Sequence, residues 1–200
     1  QLDDMPLLPD HLKITDIPKM ENAEVADLMA RFEPLVKHFN RYLTIGGFPE
    51  LALSDDDLYA QRMLREDVVD KVIKRDVLTL FKVRSPLLME KLFLYLCMNS
   101  TEIFSATTAA KELDNISPNT IESYVDALVK SNLIYMAYPI AVGSKSVLKG
   151  RPKIYIADAA IRNAVLMVDD VLSDERELGL LIETTVYKHL VSFYQGTGAQ

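Results

Sequence analysis

Ser117-Pro-Asn-Thr-Ile-Glu-Ser-Tyr-Val-Asp-Ala-Leu-Val-Lys130 is the most informative stretch of this 200-residue sequence. Its apolar residues recur at three- and four-residue steps, which predicts an amphipathic helix. Ser117 is a strong N-cap candidate, because Pro118 fits the first helical position, where no N–H partner is needed. The side chains that this helix would bury are Ile121, Val125, Leu128 and Val129.

Two further helices and a β-hairpin are predicted around this helix. Ser85-Pro86 begins one helix that ends near residues 99–100, and Ser105 begins the next, which ends before the short turn at residues 114–117. Residues 133–138 and 153–157 have the composition of strands. Three helices followed by a long hairpin are the order of a winged helix-turn-helix domain.

The region before these helices is predicted to be an acidic connector and a helical lid. Residues 1–30 have a net charge of −5, and their prolines predict an extended connector over the first twenty residues. Helices are predicted over residues 22–42 and 57–81. The second of these has two apolar rows at four-residue steps, Leu64/Val68/Val72 and Val69/Ile73/Val77.

A glycine-rich elbow, Gly46-Gly47-Phe-Pro49, separates these two helices. Glycine permits backbone angles that are closed to other residues, and Pro49 fixes the direction in which the chain leaves. From the residues alone, a helix–helix turn and a contact with a ligand are equally good interpretations.

Two C-terminal helices complete the prediction, over residues 159–167 and 174–194. The expected fold is mainly α with a small β-hairpin, in the α+β class. The expected domains are a connector and lid at 1–84, a winged helix at 85–158, and the first helices of a further domain at 159–200.

Composition excludes several classes of protein. The net charge of −7 argues against a generically basic nucleic-acid binder. The single cysteine, Cys97, excludes an internal disulfide and a cysteine-based zinc site, and the three histidines lack metal-ligand spacing. No metal site is therefore expected, and Cys97 is interpreted as an inert core residue.

Compact catalytic motifs and targeting segments are also missing from the sequence. It has no P-loop, no G-x-G-x-x-G, no G-x-S-x-G and no Glu-x-Lys pair, so no catalytic residue is expected in this chain. No apolar run approaches the ~18 residues of a membrane helix, and no signal peptide is found. We therefore expect a piece of a longer cytoplasmic protein with no membrane partner.

Charge is distributed unevenly over the predicted DNA-binding elements. The exposed face of the third helix has two acids and one base, with no arginine to read guanine. By contrast, the hairpin loop at residues 143–153 carries four positive charges and no acid, which suits contact with the phosphates of duplex DNA. A solvated loop and a protein contact are the alternatives. The candidate phosphate-binding residues are Lys145, Lys149, Arg151 and Lys153.

Four stretches resemble the C-terminal region of a family of bacterial and archaeal AAA+ type P-loop ATPases, in which a P-loop core precedes a domain of unknown function. They are Tyr42-Leu-Thr-Ile-Gly-Gly-Phe-Pro-Glu50, Arg65-Glu-Asp-Val-Val-Asp-Lys-Val-Ile-Lys-Arg-Asp76, Lys149-Gly-Arg-Pro-Lys-Ile-Tyr-Ile-Ala-Asp158 and Gly179-Leu-Leu-Ile-Glu-Thr-Thr-Val-Tyr-Lys-His-Leu190.

The resemblance implies that Gly46, Gly47 and Pro49 belong to a lid element that lies against bound nucleotide. ATP and Mg²⁺ would be cofactors of the full-length parent and would bind mostly outside this chain. The upstream ATPase core and a downstream nuclease-like domain are the implied partners within the same protein. Because both are missing from these 200 residues, ATP hydrolysis is not assigned to them.

Two functions follow as hypotheses. In the first, the lid and winged helix couple the nucleotide state of the parent ATPase to a DNA or protein partner. In the second, the chain is a protein-interaction module that docks through its acidic third helix and binds no nucleic acid. The oligomeric state stays open at this stage. A sequence-specific transcriptional regulator is disfavoured, because the third helix lacks base-reading side chains.

Overall fold

The computed structural model describes residues 12–81, 83–139, 150–168 and 170–196. The chain divides into two compact units, Gln1–Tyr42 and Leu43–Gln200. The helices are α1 (Asn22–Phe32), α2 (Val36–Ile45), α3 (Pro49–Ala52), α4 (Asp57–Arg65), α5 (Leu78–Leu80), α6 (Pro86–Met98), α7 (Ala106–Glu112), α8 (Pro118–Lys130), α9 (Ala159–Leu166) and α10 (Glu175–Gly196). The strands are β1 (Ile134–Ala137) and β2 (Lys153–Ile156).

The first unit is more helical than the sequence predicts. A 3₁₀ helix spans Ile14–Lys19, where an extended connector was expected. The expected helix over residues 22–42 is present, but a 3₁₀ turn at Glu33–Leu35 separates α1 from α2. Pro34 explains this turn, because its ring removes one N–H donor and disfavours a regular α-helical bond at that point.

A π-helix, Glu66–Val77, joins α4 to α5 and makes one continuous helical segment from residue 57 to residue 80. The predicted long helix is therefore present, with a different winding. From residue 64 onward its buried residues include Leu64, Val68, Ile73 and Val77, which follow one another at steps of four, five and four. These steps average more than the 3.6 residues of an α-turn, so the wider winding keeps one face on the core.

The starts of the next three helices follow the sequence signals closely. The Ser85 side chain accepts a hydrogen bond from Leu88 N at 3.3 Å, and Ser105 accepts one from Thr108 N at 3.3 Å. Pro118 occupies the first turn of α8 as expected, but Ser117 makes no side-chain capping bond.

The strands β1 and β2 form an antiparallel pair in which Tyr135 lies opposite Tyr155. Residues 101–104 run along the other edge of β2, where Ile103 and Lys153 form an isolated antiparallel bridge. There, Thr101 N donates to Ile154 O at 2.7 Å and Phe104 N donates to Pro152 O at 2.8 Å. The sequence did not predict this segment, which extends the hairpin on the side away from β1.

The core of the second unit lies between α6, α8, the hairpin and α9, and its fully buried large side chains include Phe93, Leu96, Ile121 and Ile134. Helix α9 packs against α4, α6 and β2. The expected α+β class is confirmed, since the described chain is mostly helical with one small antiparallel sheet. The domain boundaries at residues 84/85 and 158/159 stay predictions.

Candidate functional site

The glycine elbow packs against Asp158, the residue that follows the hairpin and caps α9. Helix α2 ends at Ile45, and Gly46 follows with φ of +75°, a backbone conformation that side chains of the L configuration rarely adopt. A Cβ on Gly46 would lie 2.8 Å from Asp158 Oδ1 and 3.0 Å from Ala160 Cβ. Only glycine therefore allows this turn to approach the start of α9.

Asp158 joins three parts of the second unit. Its Oδ1 accepts a hydrogen bond from Ala160 N at 2.9 Å and so caps α9. Its Oδ2 accepts a hydrogen bond from Lys188 Nζ of α10. Because the carboxylate is only 4% exposed, the ion pair with Lys188 compensates a charge that water hardly reaches.

Arg162 and Asn163, the next polar residues of α9, extend this buried network. Arg162 Nε donates to Cys97 O of α6 at 3.0 Å, and Arg162 Nη1 donates to Glu177 Oε2 of α10 at 2.6 Å. Asn163 Nδ2 donates to Leu43 O at the end of α2, at 3.0 Å. Helix α9 is therefore tied by side chains to three other helices. Burial raises the pKa of the Cys97 thiol, which fits its expected inert role.

A second polar group centres on Glu183 of α10. Its Oε1 accepts hydrogen bonds from Lys153 Nζ and from Tyr155 Oη, each at 2.9 Å. The Tyr155 ring stacks on Tyr187 with centroids 3.9 Å apart, and Tyr135 meets Tyr187 edge-on at 6.2 Å. The hydrogen bond from Lys153 lowers the pKa of Glu183. Burial, followed by the bond to Glu183, raises the pKa of Tyr155.

The structure places the candidate phosphate-binding residues in different situations. Lys145 and Lys149 lie outside the described residues. Arg151 is exposed, whereas Lys153 belongs to β2 and pairs with Glu183. Of the two candidates that the structure describes, Lys153 is therefore less available to phosphate than its formal charge suggests.

The outer face of α8 is acidic, as the sequence predicts. Asp126 pairs with Lys130 at 2.6 Å, and Glu122 is exposed. Between this face, β1 and α10 lies an open groove of about 820 Å³. Residues of the groove wall include Glu122, Val125, Met136, Tyr138, Arg151 and Tyr187.

Of the three predicted nucleotide contacts, Gly46 is buried. The Asp158 carboxylate occupies the space beside Gly46, so a ligand cannot contact Gly46 from that side. The other two predicted nucleotide contacts, Gly47 and Pro49, are exposed. A ligand bound to another part of a longer protein could therefore reach them. No group of three or more metal-binding side chains occurs among the described residues.

Sequence reasoning did not single out the polar network around α9. The available signal was Arg162-Asn163 inside the otherwise apolar stretch Ala159–Leu166, since a charge on a buried face must be paired. Its partners come from distant parts of the sequence, which no local pattern identifies.

The observed architecture is a helical domain with a small hairpin, held together at α9 by buried polar contacts. The chain belongs to the DUF8612 family, described as a domain of unknown function, because the family model matches residues 36–172. That description does not mention an ATPase, so the resemblance to AAA+ type proteins stays a prediction.

Two relatives come from the archaeon Methanocaldococcus jannaschii. The uncharacterized protein MJ1544 is 24% identical over 185 residues, which cover 90% of this chain and 40% of the relative. The uncharacterized protein MJ1637 is 30% identical over 167 residues, covering 82% of this chain and 34% of the relative. This chain thus spans well under half the length of either protein. No solved structure matches it. No helix within the described ranges is long and apolar enough to cross a membrane.

Proposed function

We propose that this chain is the lid and winged-helix portion of a cytoplasmic AAA+ type P-loop ATPase, and that it couples nucleotide state to a DNA or protein partner. The order α6, α7, α8, β1, β2 supports the winged helix. The segment at residues 101–104 also supports it, because it adds backbone hydrogen bonds to the free edge of β2. The greater length of both relatives leaves room for an ATPase core outside this chain.

The observation that carries the proposal is the contact of Gly46 with Asp158. The elbow that would touch nucleotide lies against Asp158, which follows the hairpin, caps α9 and is paired with Lys188. A nucleotide that binds one conformation of the elbow more tightly than another would favour that conformation and so change this contact. The size of the change is limited by the difference between the two affinities. The elbow, the hairpin and α10 would then respond together.

The test uses the full-length protein with Gly47→Ala and Pro49→Ala combined. Both positions are exposed, and Gly47 is not in the positive-φ region, so the change alters the lid surface and leaves the buried contact in place. We expect ATP affinity to fall about tenfold, or roughly 1.4 kcal/mol. Gly179→Ala is the control, since a Cβ there meets nothing within 4 Å. Unchanged ATP affinity and turnover in the double variant would contradict the lid assignment.

A second function, a protein-interaction module without nucleic-acid binding, is favoured by the ion pairs of the candidate DNA-binding elements. Lys153 is held by Glu183, and the outer face of α8 presents acidic side chains. These features weaken a phosphate-binding surface and suit a partner that carries basic residues.

Duplex DNA binding at low salt distinguishes the two functions. Phosphate contacts predict a log–log salt slope of about −0.9 for each contact. Under the DNA hypothesis, Arg151→Gln removes one phosphate contact and reduces the magnitude of that slope by about 0.9. Thr107→Gln is the control and leaves the slope unchanged, because Thr107 is an exposed, uncharged residue of the groove that Arg151 also lines. The absence of any binding at low salt would favour the protein-interaction module.

A further inference from the structure

One carboxylate oxygen of α10 accepts hydrogen bonds from two side chains of β2. Glu183 Oε1 lies 2.9 Å from Lys153 Nζ and 2.9 Å from Tyr155 Oη. Because side chains two residues apart lie on the same face of a strand, Lys153 and Tyr155 reach Glu183 from one side. A charge-assisted bond from an ammonium group to an anionic oxygen is also the bond that lysine forms with phosphate. Glu183 therefore occupies the position beside Lys153 that a phosphate oxygen would take.

The contact between Lys153 and Glu183 lies at the surface. Their side chains are each 44% exposed, whereas the Arg162 side chain, in the pair with Glu177, is only 4% exposed. Exposed ion pairs contribute little to stability, because water and salt screen them. Lysine also carries its charge on a long, flexible stem. Lys153 can therefore leave Glu183 and bind another anion without any movement of β2.

Tyr155 keeps the Glu183 carboxylate opposite Lys153. Its ring stacks on Tyr187 of α10 with centroids 3.9 Å apart, and Tyr155 is only 6% exposed. A glutamate at the surface of a helix would otherwise sample several rotamers. The bond from the tyrosine hydroxyl restricts that freedom, so the negative charge stays beside Lys153.

This ion pair lowers the charge that the start of β2 presents to DNA. Arg151 and Lys153 carry two positive charges, and Glu183 cancels one of them. Each basic side chain that neutralises a phosphate releases counterions from the DNA, which favours binding. A lysine that already has a carboxylate partner must first lose it, so the gain from Lys153 is reduced.

We propose that Glu183 is an autoinhibitory residue, which competes with the phosphates of duplex DNA for Lys153. This inference rests on the DNA-binding form of the function proposed above and adds a regulatory residue to it. In the free chain, Lys153 is bound to Glu183. In the DNA complex, Lys153 Nζ donates to a phosphate oxygen instead, while Tyr155 Oη continues to donate to Glu183.

The salt dependence of duplex binding by the 200-residue chain tests the competition. Glu183→Gln keeps an oxygen that can accept from Tyr155 but removes the charge. With a fluorescently labelled duplex of mixed sequence, this variant should bind about fivefold more tightly than the wild type. The magnitude of its log–log salt slope should be larger by about 0.9, which corresponds to one further phosphate contact.

Glu175→Gln is the matched control, because Glu175 is an exposed acid of the same helix. It lies about two turns, or about 12 Å along the helix axis, from Glu183. At an ionic strength of about 0.1 M, this distance exceeds the Debye length of about 10 Å, so the control should keep the wild-type affinity and slope. Both substituted residues are exposed, and circular dichroism should show the wild-type helix content for both variants.

A double-mutant cycle separates competition for Lys153 from a general effect of charge. Lys153→Gln should weaken DNA binding by less than about twofold in the wild type and by about fivefold in Glu183→Gln. Equal losses in the two backgrounds would overturn the autoinhibition and leave DNA binding by the chain intact. Absence of binding by both the wild type and Glu183→Gln at low salt would instead overturn the DNA form of the proposed function together with this inference.

Discussion

Lys188 of α10 donates a hydrogen bond to the same Asp158 carboxylate whose other oxygen caps α9. One side chain therefore both begins a helix and holds a second helix against it. Because Asp158 also lies against Gly46, the glycine elbow depends on the same carboxylate.

Removal of the Asp158 charge should destabilise the second unit. Asp158→Asn keeps an oxygen that can cap α9 but removes the negative charge that faces Lys188, at a cost of about 2 kcal/mol. Asp158→Ala loses the cap as well and should cost about 3–5 kcal/mol. Urea unfolding measures both values. Asp126→Asn breaks the exposed pair with Lys130 and should cost no more than about 1 kcal/mol. An equal loss of unfolding free energy in Asp158→Asn and Asp126→Asn would show that the buried ion pair stabilises the fold no more than the exposed one.

Two glycine-to-alanine substitutions should change stability in opposite directions. Gly46→Ala introduces a side chain at φ +75° and forces it towards Asp158, so the backbone alone should cost about 1–2 kcal/mol. Gly179→Ala sits in α10 with open space around it and should stabilise by about 0.5–1 kcal/mol. Thermal unfolding of the two variants compares them directly, and a neutral Gly46→Ala would contradict the close approach.

The winding of the π-helix predicts which side chains support the core. Ile73 is buried and Val72 is only half-buried, although both belong to apolar rows at four-residue steps. Ile73→Ala should cost about 2–4 kcal/mol, and Val72→Ala less than about 1.5 kcal/mol. Denaturant unfolding of the two variants measures the difference. A larger loss at Val72 would indicate an ordinary α-helical winding through this segment.

The Glu183 contacts predict a loss of stability in acid. The hydrogen bond from Lys153 lowers the pKa of Glu183 in the folded chain below the ordinary value of 4.5. The Glu183 carboxylate therefore stabilises the fold when the pH is above the ordinary pKa. This contribution is lost as the pH falls through the lower pKa of the folded state. As the pH is lowered from about 6 to about 3, the free energy of unfolding should decrease less steeply for Glu183→Gln than for the wild type. Glu122→Gln, on the exposed face of α8, should keep the wild-type profile.

The sequence predicted the elements that local signals control. Ser85 and Ser105 begin helices because their hydroxyl groups accept backbone N–H donors that would otherwise lack partners. The two strands were predicted within one residue of their observed ends, since β-branched and aromatic residues cluster there and Pro139 stops the first.

What the sequence did not predict depends on distant partners. The segment at residues 101–104 is too short to show a strand pattern, and its hydrogen bonds exist only because β2 lies beside it. The contact between Gly46 and Asp158 likewise joins residues that no spacing rule connects. The π-helix has the same origin, because packing of Leu64, Val68, Ile73 and Val77 on one core sets its winding.

The hydrogen bond from Asn163 to the carbonyl of Leu43 has a consequence for biosynthesis. Its two ends lie 120 residues apart in sequence. At a synthesis rate of about 5–20 residues per second, the ribosome adds Asn163 roughly 6–24 s after Leu43. During that interval the Leu43 carbonyl cannot yet meet Asn163, and the glycine elbow cannot yet meet Asp158. The polar contacts of α9 therefore close only after α9 and its partners on α10 have been synthesised.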